Sequence, residues 1–76
     1  MYKVSDEERA RLQKNFTYHP PKPDQLPRYE EIRLRAKECT VVILACCPPS
    51  RERSLAMTAL EESVMWANAS IARNEA

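Results

Sequence analysis

The residues best suited to chemistry stand at a corner of the sequence, Pro48-Pro49-Ser50-Arg51-Glu52-Arg53-Ser54. Arg51 and Arg53 fall in the first turn of a helix that Ser50 would cap, where the helix dipole disfavours cations. Two guanidinium forks beside unpaired N-terminal amides suit a phosphate. The plainer reading is a pair of solvated surface arginines. A second set lies upstream in Phe16-Thr17-Tyr18-His19-Pro20-Pro21-Lys22-Pro23. Its prolines make the backbone extended and stiff, which holds the aromatic rings at defined positions. Either Phe16 and Tyr18 pin this segment to the fold with His19 in solvent, or the segment covers a ligand. Aromatic rings stack on nucleobases at about 1–3 kcal/mol each.

Catalytic chemistry is harder to assemble. His19 and the three cysteines, Cys39, Cys46 and Cys47, are the only evident bases or nucleophiles. The cysteines sit in an apolar segment, where burial raises a thiol pKa and makes it inert. One histidine and three cysteines have no zinc-ligand spacing. The sequence has no glycine, so glycine-rich phosphate loops are excluded. An odd cysteine count with two adjacent members, and no signal peptide, argue against a disulfide framework. The expectation is therefore a non-enzyme with buried thiols in a reducing cytosol.

Three helices would position these residues. Ser5-Asp6-Glu7-Glu8 is a capping box, opening a short helix to Asn15. A proline-rich connector spans 16–27. The second helix covers 28–47, with an apolar stripe through Tyr29, Ile32, Ala36, Cys39, Val42 or Ile43, and Cys46. Pro48-Pro49 must end it, because neither proline has an N–H and the residue before a proline is forced out of the helical region. The third helix occupies 50–74, facing the second through Leu55, Ala59 or Leu60, Val64, and Ala67 or Ile71. So short a connection folds the two long helices back as an antiparallel hairpin. Met57, Met65 and Trp66 read as packing bulk, and Asn68 as a partner for Arg73 or for a group across an interface.

The whole chain, 1–76, is thus one all-α domain: a short N-terminal helix and a long hairpin. A single core this small contributes only about 3–5 kcal/mol. From Cys39 to Cys47 the second helix is apolar on every side, and one partner helix covers only one of them. Neighbouring copies must cover the rest, so a homo-oligomer is expected. The net charge of +1 excludes a general binder of polymeric nucleic acid, and no run approaches the roughly 18 apolar residues of a membrane span.

Several motifs carry a resemblance. Phe16-Thr-Tyr-His-Pro-Pro, Arg28-Tyr-Glu with Ile32-Arg33, Pro48-Pro-Ser-Arg-Glu-Arg-Ser-Leu-Ala, Leu60-Glu-Glu and Met65-Trp-Ala-Asn-Ala resemble the hairpin domain of bacteriophage anti-CBASS and anti-Thoeris sponges. The small stand-alone anti-CBASS form is the more similar, over about residues 5 to 74. The resemblance implies a helical-hairpin hexamer in the cytoplasm of the infected bacterial host. It would sequester cyclic oligonucleotide second messengers without cleaving them and without a cofactor. These are cGAMP-like dinucleotides and cyclic triadenylate-like trinucleotides, bound in separate pockets between subunits. Arg51, Ser54 and Thr58 match one pocket, with Arg53 as a neighbouring cation; Tyr18, His19 and Arg33 match the other. The strand-rich N-terminal domain of the anti-Thoeris relatives is missing, so their cyclic ADP-ribose site is not implied. The reading from another class is a helical interaction module that binds a host protein.

Overall fold

A computed structural model describes residues 1 to 76 as three helices without strands. Helix α1 spans Asp6–Asn15 and opens on a complete capping box. The Glu8 amide donates to Ser5 Oγ at 3.1 Å, and the Ser5 amide donates to Glu8 Oε1 at 2.9 Å. These bonds hold the Glu8 carboxyl below its ordinary range. Helix α2 spans Leu26–Cys46, with Pro27 in its first turn, where a missing N–H costs nothing. It begins two residues before the expected start and ends one residue earlier, because Cys47 turns extended ahead of Pro48. Helix α3 spans Arg51–Asn74 and is capped by Ser50, whose Oγ accepts from the Arg53 amide at 3.1 Å.

Helices α2 and α3 pair antiparallel, and an arginine closes the pair at each end. At the corner, Arg53 of α3 reaches the last carbonyls of α2. At the open end, Arg28 of α2 binds Glu75, just beyond α3. The seam between them runs through the half-buried Tyr29, Ile32, Ala36, Thr40 and Ile43 of α2. It meets Ala56, Leu60, Val64, Ala67 and Ile71 of α3. This corrects the expected stripe at three places. Thr40, not Cys39, lies on the seam of α2, its hydroxyl satisfied by the Ala36 carbonyl at 2.9 Å. Leu55 is exposed, and the α3 face starts at Ala56. The three cysteines, expected to be buried, are all exposed on the single chain. A helix hairpin covers one stripe of each member; Cys46 and Cys47 stand outside it, and Cys39 lies at its open edge beside Leu60 and Val64.

One chain alone has no core. No apolar residue is buried, and Val41, Val42 and Leu44 remain 58%, 59% and 44% exposed. The molecule is only 13 Å thick, the depth of a single helix layer. Its radius of gyration is 16.9 Å, against about 11 Å for a compact domain of this length. Its accessible surface is 6451 Å², whereas a folded monomer of this mass exposes about 4800 Å². The excess, roughly 1700 Å², is comparable to the total area buried by a standard protein–protein interface. No helix is long and apolar enough to cross a membrane.

Candidate functional site

At the corner, the two arginines have different tasks. Arg51, the first residue of α3, is exposed and its guanidinium has no partner. Arg53 does not share that freedom. Its Nη1 donates to the carbonyls of Leu44 at 3.2 Å and Cys47 at 3.3 Å. A helix leaves its last carbonyls unpaired, and the following prolines supply no N–H to bond them. A cation one turn into the facing helix does so with favourable electrostatics. Arg53 is therefore a clamp on the hairpin, and the expectation of twin free guanidinium forks is corrected to one.

Ser54 and Thr58 extend the Arg51 surface. Positions 51, 54 and 58 fall on one face of α3 over about 10 Å of rise, and all three are exposed. Thr58 Oγ1 donates to the Ser54 carbonyl at 3.2 Å, which fixes its rotamer and leaves its lone pairs outward. The Ser54 hydroxyl has no partner within the chain. This face offers one charged fork and the Ser54 hydroxyl as donors to an anionic group, with the Thr58 oxygen as an acceptor beside them.

The second set is looser. Tyr18 is 81% exposed on the connector. His19 is not in free solvent as the plainer reading had it. It is half-buried, and its Nε2 donates to the Lys14 carbonyl at 2.8 Å. That bond requires a proton on Nε2. Arg33 is exposed on α2 without an ion-pair partner. Tyr18 and His19 lie near the open end of the hairpin, and Arg51 starts α3 at the closed end, about 30 Å away along the helix. The two sets are separate within a chain. None of these residues lines a concavity of the single chain.

The sequence reading missed the polar clasp at the open end. Gln25 is the one buried residue, 3% exposed. Its Oε1 accepts from the Lys22 amide at 2.9 Å, and its Nε2 donates to Glu75 Oε1 at 3.3 Å. Arg28 binds the same carboxylate through both Nη atoms, and Lys22 Nζ donates to the Glu75 carbonyl. Arg28, then Gln25, hold the Glu75 carboxyl down to about 2. These groups are too far apart in the chain for any local pattern to connect them. Through Lys22 and Gln25 the clasp anchors the proline-rich connector to the end of α3, and so sets where Tyr18 and His19 stand.

One further group is incomplete. Asn68 does not bond Arg73 as one reading had it; its Oδ1 is enclosed and has no hydrogen-bond partner. A buried acceptor without a donor costs about 1–3 kcal/mol.

The chain matches the family described as Acb2/Tad1, hairpin domain, over residues 8–72, which takes in the whole of α2, most of α1 and α3, and both candidate sets. No curated protein and no solved structure matches it. With most of its length within that match and an all-helical hairpin as its fold, the chain belongs to the Acb2/Tad1 hairpin-domain family, the anti-CBASS and anti-Thoeris sponges.

Proposed function

We propose that this protein is a phage anti-defence sponge. It binds cyclic di- and trinucleotide immune messengers in the cytoplasm of the infected host and holds them, uncleaved, away from the CBASS effector. The observation that carries the reading is the contrast between the candidate residues and the single chain. Arg51, Ser54 and Thr58 form a polar face with one unpaired guanidinium, yet line no concavity. A pocket there has to be completed by other copies. The roughly 1700 Å² of excess surface and the unpartnered Asn68 Oδ1 support such copies.

A closed homo-oligomer, which we take to be a hexamer, repeats Arg51 by symmetry, so several copies can converge on one ring of phosphates. Tyr18, His19 and Arg33 then serve the second ligand class by stacking and charge. Sequestration needs no nucleophile, only differential affinity against the effector. Incubation with a cyclic dinucleotide or trinucleotide, followed by heat denaturation, should return the ligand intact and in proportion to protein. Linear or hydrolysed product would mean an enzyme; no retained ligand of either class would end the sponge reading.

A further inference from the structure

A groove of about 300 Å³ runs between α1 and the last turns of α3, apart from every residue discussed as a ligand contact above. Its α3 wall is a single stripe, Trp66 and Arg73 with the small Ala69 and Ser70 as floor, at helical spacings of three and four. Its α1 wall presents Arg11 and Lys14. Lys14 Nζ donates to Asn74 Oδ1 at 2.7 Å across the mouth, which uses one of its three N–H donors. Neither Arg11, Lys14 nor Arg73 is in an ion pair.

The charge balance is informative. The Lys14–Asn74 bond brings the C-terminal ends of α1 and α3 together, and each helix end is worth about half a negative charge. Those two ends compensate about one of the three cations, and the Glu8 carboxylate, close enough to Arg11 to feel its charge, offsets part of another. Glu75 does not alter this, because its carboxylate is bound by Arg28. Glu62 is not among the lining side chains, but its carboxylate accepts from the Trp66 indole N–H at 3.3 Å and lowers the net charge further. Trp66 itself is 60% exposed. Beside it, the three cationic side chains of the groove suit the three terminal oxygens of a phosphate monoester. A cyclic phosphodiester has only one charge per phosphate and no terminal monoester.

The geometry points to this groove as a second, separate binding site, for a phosphate monoester attached to an aromatic ring, with a nucleoside monophosphate the simplest member of the class. Arg73, Arg11 and Lys14 hold the phosphate, and the ring stacks on Trp66. The site does not depend on the sponge reading, because it uses none of that reading's residues.

Trp66 is the only tryptophan, so its fluorescence reports the groove directly. Titration of the intact protein with AMP should quench it to saturation, and inorganic phosphate should compete. Adenosine at the same concentration should quench little. Arg73→Gln should weaken AMP about ten- to hundred-fold, the effect of losing one charge-assisted contact. Arg11→Gln, on the separate helix α1, should give a loss of the same kind, which guards against a folding defect in the first variant. Arg51→Ala should leave the AMP titration unchanged. The proposal is overturned by a quench that does not saturate, by equal quenching from adenosine, or by indifference to both arginine variants. It is also overturned if Arg51→Ala abolishes the signal, which would move the AMP to the corner.

Discussion

Arg28 and Glu75 stand 47 positions apart in the chain and meet through two guanidinium–carboxylate bonds of 2.8 and 2.6 Å. The pair ties the first turn of α2 to the residue that follows α3. It works against the fraying expected of helix ends, and it holds the connector through their shared neighbour, Gln25.

The pair makes the open end of the hairpin sensitive to acid. The Glu75 carboxyl is held down to about 2, against an ordinary value of 4.5. Its stabilising effect is complete above pH about 4.5 and is lost as the pH falls through about 2. Thermal melts between pH 5 and pH 2 should show stability falling across that window. Glu75→Gln should be less stable at pH 7 and have a shallower pH slope. A slope unchanged by Glu75→Gln would assign the acid sensitivity to other carboxylates, Glu8 of the capping box first.

Arg51 and Arg53 should separate binding from folding. Arg53→Ala leaves the Leu44 and Cys47 carbonyls without that donor and should cost about 0.5–1.5 kcal/mol, a drop of several degrees in melting temperature. Arg51→Ala should leave the melting temperature unchanged or slightly raised, since a cation at a helix N-terminus opposes the dipole. Calorimetry should find its affinity for cyclic di- or trinucleotides reduced about ten- to hundred-fold. Arg51→Lys should restore only part, because an ammonium lacks the planar fork. Undiminished affinity in Arg51→Ala would return that arginine to the solvated surface.

The uncovered apolar face of α2 predicts self-association. Light scattering should give a mass several-fold above 8.8 kDa. Val42→Glu places a charge where the single chain leaves a side chain 59% exposed, so it should do little to the hairpin itself. Buried between copies, the same charge should break the assembly and lower thermal stability. A wild-type chain that stays folded and monomeric at micromolar concentration would contradict this.

The cysteines provide an independent test of the same surface. All three are exposed on one chain, and Cys39 lies in an apolar groove beside Leu60 and Val64. If copies cover that groove, a thiol reagent should label Cys39 slowly in the native protein and rapidly in Val42→Glu. Rapid labelling of the wild-type protein at Cys39 would show the groove open.

The sequence alone was enough for the elements and their order. Ser5 with Glu8, and Ser50 before Arg51, are local capping signals that depend on a few neighbouring residues. Pro48-Pro49 ends a helix whatever lies around it. The all-round apolar run from Cys39 to Cys47 also states locally that one partner helix is not enough. The tertiary structure alone decided which residue of each turn meets the other helix. Thr40 replaced Cys39 on the seam, and Ala56 replaced Leu55, because a shift of one residue rotates a side chain by about 100° and composition hardly changes. It also separated Arg51 from Arg53, which look alike in sequence. The difference arises because the end of α2 supplies unpaired carbonyls within reach of Arg53. Gln25, Arg28 and Glu75 were invisible for the same reason: their bonds cross the fold, and only chain closure brings the three together.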